Sequence, residues 1–357
     1  MTELVRPEAG PAQDEWRELV DLGRLQGWMD VQGLGSGPIE NVVSLAGGTQ
    51  NILLRFRRDG REFVLRRPPR KPLLDGNATM QREARVLAAI ADSGTPHPRL
   101  IAHCADIDVL GAQFYLMQPI DGFNAARELP PLHANNADVQ HAMGLSLIDA
   151  LVALRSVDIV AAGLSDFGKP EGFLERQAPR WMKQLKGYES YEGWDGRKDF
   201  PAVDRIAAWL EDNRPRAFEP KIMHGDFHMG NVMFSNDGPA VAAIIDWELA
   251  TIGDALVDLG CLIATWTDPD GQHSGCIPVK PWIGFPTEDE LVARYCERTG
   301  CEPALVNWYV VLAGFKLGIL QEGTNARAAV GQADPVLGEW MHATSVNLMD
   351  RAARRLR

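Results

Sequence analysis

The hydrophobic rhythm of this chain changes once, and that change restricts the folds open to it. Between Val42 and Met117 the apolar residues fall in short runs separated by turn residues, and beyond Gly122 they recur mainly at helical spacing. Val42, Val43 and Leu45 lead to Gly47-Gly48, Ile52 to Phe56 lead to a turn at Asp59-Gly60, and Phe63 to Arg66 follow. This predicts an antiparallel meander. Residues 78 to 91, with Met80, Glu83, Val86, Leu87 and Ile90, predict an amphipathic helix, and two more strands are expected to end at Tyr115 to Met117. The expected order is strand, strand, helix, strand, strand. Pro119 and Gly122 then interrupt it.

Downstream, Met143, Leu147, Leu151 and Leu154 share one face of a helix expected over 138 to 156, and a second is expected over 202 to 213. Thr287 and Glu290 form a capping box that starts a third, running through Tyr295. Two strand-like pieces, Val232 to Phe234 and Val241 to Ile245, flank the turn Asn236-Asp237-Gly238. Upstream, Trp16, Leu19, Leu22 and Leu25 predict an extra N-terminal helix. The expected division is a helical extension over 1–35, a β-rich lobe over 36–117, a hinge over 118–122 and a helical lobe over 123–357. A chain of 357 residues gives each lobe enough length to bury its own core.

A formal charge of -12 excludes a nucleic-acid binder that works by counterion release, so any bound anion needs a local basic site. Cys104, Cys261, Cys276, Cys296 and Cys301 contain no C-x-x-C pair, and their odd number predicts free thiols in a reducing compartment. Met1 to Gly10 lacks the basic and apolar run of a signal peptide, and no stretch is read as approaching a membrane span. The expectation is a cytoplasmic protein with no membrane partner.

The densest chemistry lies in His224-Gly225-Asp226-Phe227-His228-Met229-Gly230-Asn231, which has the H-x-D-x-x-x-x-N spacing of a kinase catalytic loop. Asp246 ends the apolar run Ile244-Ile245 and is expected to point into a cleft. Phosphoryl transfer needs positioning and charge neutralisation: magnesium on hard oxygen ligands, and a carboxylate beside the attacking hydroxyl. Asp226 is the candidate catalytic carboxylate, and Asn231 and Asp246 are the candidate ligands of Mg2+. His224 is expected to orient the loop through hydrogen bonds, and His228 to pack or hydrogen-bond, because magnesium prefers oxygen.

With these motifs the chain resembles the aminoglycoside phosphotransferase-like enzymes over about residues 35 to 330. It is most similar to their branch associated with acyl-CoA dehydrogenases, through Leu45-Ala-Gly-Gly-Thr-Gln-Asn51, Phe63-Val-Leu-Arg-Arg-Pro68, Arg82-Glu-Ala-Arg-Val-Leu87, Arg176-Gln-x-x-Arg-Trp181 and Asp246-Trp-Glu248. The resemblance implies an α+β, protein-kinase-like bilobal fold and the use of ATP and Mg2+. Gly47 and Gly48 would cover the nucleotide phosphates, and Arg66 or Arg67 would stand where the family usually has a phosphate-binding Lys, with Glu83 as its carboxylate partner. The adenine would bond to the hinge through Gln118 or Ile120. Asp258 resembles the buried carboxylate that braces the catalytic loop. The chain departs from the branch at Leu154-Arg155-Ser156, where Leu-His is expected.

The branch points to a hydroxyacyl-CoA as acceptor. Arg176, Arg180 and Lys183, at i, i+4 and i+7, make a basic stripe that suits an anionic substrate or is simply a solvated helix face, and Arg327 is a further candidate contact. The alternatives are an aminoglycoside or another metabolite as acceptor, or a catalytically inert nucleotide-binding protein. A protein kinase is disfavoured, since no D-F-G or A-P-E activation segment is recognisable. The sequence leaves the oligomeric state open.

Overall fold

Alternation along the strands builds the first sheet. In β2 (Ile52–Arg58), Ile52, Leu54 and Phe56 are buried while Arg55 and Arg57 face solvent, and Arg58, in phase with the buried set, pairs with Asp30. Its partner β3 (Arg61–Arg67) follows after Asp59-Gly60, which have φ of 51° and 70°. Positive φ at both central residues is the signature of the two-residue hairpin turns that match strand twist. β1 (Glu40–Ser44), β4 (Leu100–Cys104) and β5 (Phe114–Met117) complete an antiparallel sheet in the order β1-β2-β3-β5-β4.

The computed structural model describes residues 16–45, 51–70, 72, 75–268 and 273–356. These divide into two units, one of residues up to Asp121 together with Ala243–Glu248, the other Gly122–Ala242 with the residues from Leu249 onward. In the smaller unit, α1 (Trp16–Leu19) and α2 (Leu22–Val31) pack Trp16, Leu25 and Met29 into the sheet's core with Leu54, Phe56, Phe63 and Phe114. Two helices therefore replace the single one expected here, because the Asp21 side chain accepts from Gly23 and Arg24 N–H and restarts the helix. α3 (Gly76–Ala89), capped by Asp75, buries Glu83 among Met80, Val86 and Leu87. Three strands precede α3, matching the runs at Val42, Ile52 and Phe63 and exceeding by one the expected order, and α4 (Ile107–Leu110) separates β4 from β5.

The larger unit contains α5 (Pro131–Ala134), α6 (Ala137–Arg155), α7 (Gln177–Gly187), α8 (Val203–Asp212), β6 (Lys221–Met223), β7 (Val232–Phe234), and β8 (Val241–Ile244), which continues into the smaller unit. β9 (Thr251–Gly253), α9 (Leu256–Thr265), α10 (Glu288–Thr299), α11 (Pro303–Ala329) and α12 (Pro335–Arg354) follow. β6 pairs with β9 and β7 with β8. One continuous helix, α11, carries the whole stretch from Trp308 to Arg327. It packs against α9 and α12 with minimal side chains at the crossings: a Cβ on Gly260 of α9 would lie 2.4 Å from the Tyr309 carbonyl, and one on Gly318 would lie 3.0 Å from Met349 of α12.

Two expectations are corrected. α6 and α11 are long and apolar enough to cross a membrane by length and hydropathy alone, but 72% of the most apolar window of α11 is buried within this unit, which explains its composition. Cys296 and Cys301 are joined by a disulfide, so only Cys104, Cys261 and Cys276 are free thiols. The spacing gave no warning, because Gly300 turns the end of α10 left-handed and brings the two Cα atoms to 4.5 Å.

Candidate active site

In the smaller unit three side chains gather around one buried arginine. Arg66 Nε lies 2.9 Å from Glu83 Oε2, and Nη2 donates to Glu83 Oε1 at 3.1 Å and to Asp246 Oδ1 at 2.7 Å. Tyr115, opposite Arg66 in the β3–β5 register, donates its hydroxyl to Glu83 Oε2 at 2.7 Å. Burial pushes the Glu83 carboxyl up, with Arg66 and the Tyr115 hydroxyl pulling against it. For Arg66 burial works against the charge, yet Glu83, Tyr115 and Asp246 prevail and keep the guanidinium firmly protonated. Arg67 turns to the other face of the strand and donates to the Leu19 carbonyl at 2.6 Å. The partner of Glu83 is thus Arg66.

Asp246 adopts φ +66°, in the left-handed region where a residue other than Gly is uncommon. The turn is held by Trp247 Nε1, which donates to the Ile244 carbonyl at 2.9 Å. Its carboxylate stays 41% exposed while bonded to Arg66.

In the larger unit β6 delivers the chain into the loop 224–231, and buried Asp258 of α9 ties it down. Asp258 accepts from the N–H of His224 at 2.6 Å and of Gly225 at 2.8 Å. Gly225 has φ +86°, and a Cβ there would lie 2.4 Å from the Leu249 carbonyl oxygen, so the turn admits only glycine. Asp226 N–H donates to His224 Nδ1 at 3.3 Å. Asn231 Nδ2 donates to the Asp226 carbonyl at 2.9 Å and to its Oδ2 at 3.1 Å. His228 accepts from Gly230 N–H on Nδ1 and sets Nε2 3.3 Å from Asp226 Oδ2. Burial opposes a charge on Asp226, but His228, Lys316 and His224 outweigh it and hold the carboxyl well below the usual carboxylate range. The loop presents an ionised, partly exposed carboxylate of fixed direction.

In the larger unit Asn231, with its amide nitrogen turned to Asp226, keeps Oδ1 as an acceptor, and in the smaller unit Asp246 offers carboxylate oxygens. Such hard oxygens suit Mg2+ better than a softer metal. Among the described residues no group of three or more His, Cys, Asp or Glu side chains forms a ready-made metal cluster.

The other predicted residues divide clearly. Gly47 and Gly48 lie outside the described residues. Gln118 N–H already donates to the Arg99 carbonyl at 2.9 Å. Arg176 sits at the N-cap of α7 and turns back to donate to the carbonyls of Glu171 and Lys169, clamping the preceding loop. Arg180 and Lys183 are exposed, and the Arg180 guanidinium covers the Trp181 ring at 4.7 Å. Arg327 donates to Thr324 Oγ1 at 2.9 Å. Two further residues escaped sequence reasoning. Asn124 fastens the loop's exit by donating to the carbonyls of Gly230 and Val232 at 2.7 and 3.2 Å. Lys316, hidden in the apolar run of α11, donates to the Gly225 carbonyl.

The model of the phosphotransferase enzyme family matches residues 42–304. Acyl-CoA dehydrogenase family member 11 of Gallus gallus is 31% identical over 301 residues, covering 82% of this chain and 37% of that protein. Family member 10 of Mus musculus is 29% identical over 308 residues, covering 84% of this chain and 27% of that protein. The chain thus spans well under half the length of these relatives. A crystal structure of a candidate aminoglycoside phosphotransferase from Ralstonia eutropha superimposes with a TM-score of 0.76 at 26% identity, covering 94% of this chain and 99% of the other. The complex of aminoglycoside phosphotransferase APH(4)-Ia with ADP and hygromycin B shares the fold, with a TM-score of 0.57 at 14% identity over 92% of this chain and 97% of the other.

Proposed function

The chain belongs to the phosphotransferase enzyme family, and from that premise we propose that it transfers the γ-phosphoryl group of ATP to the hydroxyl of a hydroxyacyl-CoA. The observation that carries the reading is the Asp226 carboxylate, kept ionised by its surroundings and held in one direction by Asn231. Asp226 takes the proton of the acceptor hydroxyl as its oxygen attacks the γ-phosphorus; the bond to the β-phosphate oxygen breaks and ADP leaves. Asn231 and Asp246 are the proposed ligands of Mg2+, which when bound neutralises phosphate charge.

Arg66, braced by Glu83, is assigned to the nucleotide phosphates, where a guanidinium contacts two oxygens at once and keeps its charge at any working pH. Gly47 and Gly48 are assigned to cover them on the family resemblance alone. Since Gln118 N–H is engaged, the donor to adenine falls to Ile120, and the Gln118 carbonyl is its acceptor. Arg180 and Lys183 are assigned to the acceptor's anionic groups, with Arg327 as a further contact; Arg176 supports them by ordering their helix.

The relatives named as acyl-CoA dehydrogenase family members favour a CoA thioester acceptor. A second reading, an aminoglycoside acceptor, is favoured by the hygromycin-bound neighbour and by the charge of -12, which suits a polycation. Incubation with ATP and Mg2+ beside a hydroxyacyl-CoA, an aminoglycoside and a generic protein, followed by ADP release and phosphorus NMR, separates the readings. A new phosphate ester on the hydroxyacyl-CoA alone is expected. Absence of ADP across hydroxylated metabolites would return the chain to the inert nucleotide-binding class.

A further inference from the structure

We propose that Lys316 of α11 is a positioning residue that fixes the peptide carrying Asp226, an inference that rests on the catalytic role assigned to that aspartate. Lys316 is only 8% exposed in the middle of an apolar helix, where an ammonium is costly unless it is paired. Its Nζ donates to the Gly225 carbonyl and lies 6.0 Å from the centre of the Trp181 ring. That carbonyl belongs to the same planar unit as the Asp226 N–H, which donates to His224 Nδ1 at 3.3 Å. The peptide is therefore gripped at both ends, its oxygen by Lys316 and its N–H by His224. The peptide before it is held by Asp258, through the Gly225 N–H at 2.8 Å.

The need for the second grip follows from Gly225. A glycine at φ +86° has neighbouring conformations of similar energy, so without the ammonium the Gly225–Asp226 peptide rests on the 3.3 Å bond to His224 and rotates more readily. Rotation swings the Cα–Cβ bond of Asp226 and with it the carboxylate. Displacing a reacting group by about 1 Å costs on the order of 10²-fold in rate. Stability alone does not account for a lysine here, because replacing a buried ion by an apolar group of like volume is often neutral or better.

Lys316→Met keeps the length of the side chain and removes the ammonium, which makes it the informative variant. With Mg2+, ATP and a hydroxyacyl-CoA, kcat is expected to fall roughly 10- to 100-fold while KM for ATP stays within about twofold. Amide hydrogen exchange over residues 224–231 is expected to speed up about 10-fold or more, with α9 unchanged. The exchange arm needs no turnover, so if the parent phosphorylates no acceptor the functional reading fails while the claim for Lys316 is still decided. Unaltered exchange in the loop overturns the proposal. So does a uniform loss of protection across the larger unit, which marks a merely structural lysine. Should the methionine variant not fold, Lys316→Leu, which also lacks a donor, is measured in the same two ways, and the same outcomes support or overturn the proposal.

Discussion

Asp226 and Asp246 are both carboxylates on turns, yet their surroundings differ, and so do the roles proposed for them. Asp226 has His228, Asn231 and Lys316 about it, whereas Asp246 is bonded to Arg66 and keeps much of its surface. Asp226→Asn is expected to keep nucleotide affinity and to lower turnover by about 10² to 10⁴, the usual range for a positioned acid or base, as single-turnover ADP release would register. Asp246→Ala is expected instead to remove the Mg2+ dependence of nucleotide affinity, measured by calorimetry with and without the metal. Unchanged metal-dependent binding would sink its assignment. Ile120→Pro, which deletes one N–H, is expected to weaken ATP by about 1 kcal/mol, roughly fivefold. At this scale the loop was legible because a fixed spacing of residue types encodes it. Lys316 and Asn124 were not, since each reaches the loop from a distant element with no local pattern to announce it.

Elements were legible where local chemistry sets their limits. The Thr287–Glu290 capping box opens α10 as read, and Asp59-Gly60 makes the hairpin. The sequence failed at Asp21, where a cap splits one apparent helix, and at Cys296 and Cys301, whose pairing depends on a left-handed turn at Gly300. Between α11 and α12 one tie is a buried polar cluster. Glu322, fully buried, accepts from Trp194 Nε1 at 2.6 Å and Asn325 Nδ2 at 2.8 Å, and its Oε2 lies 2.8 Å from His342 Nδ1. The hydrogen bond to Glu322 raises the His342 pKa above its ordinary value, against the effect of burial. A raised pKa means that the protonated ring stabilises the fold fully below the unfolded value and loses that contribution as pH climbs through the folded one. His342→Gln is therefore expected to cost about 2 kcal/mol near pH 5 and clearly less near pH 9, read from denaturant melts. A gap that widens with pH would contradict the assignment.

For the molecule as a whole, charge is the governing quantity. A protein carrying -12 repels an anionic acceptor except where lysine and arginine are exposed together, as on α7. Arg180→Glu is expected to raise KM for a hydroxyacyl-CoA and leave KM for ATP nearly unchanged, with the effect shrinking as salt is added. Equal constants at low and high salt would make the stripe mere surface. The change of rhythm at Gln118 to Gly122 made the two-part organisation readable, because a β-rich and a helical half need different apolar spacing. The packing inside the helical half was not readable, since α11 is apolar on nearly every side and periodicity cannot say which neighbour each face meets. That helix also has a consequence for anyone shortening the chain. Gly314 and Gly318 let α12 lie almost backbone to backbone on α11, and Lys316 stands between them in sequence. A truncation that deletes only α12 touches none of the residues assigned above to the reaction, yet it strips one wall from the beam that carries the lysine. The shortened protein is expected to bind nucleotide and turn over slowly, so its defect would look like a damaged catalytic loop while the lesion sits more than a hundred residues away.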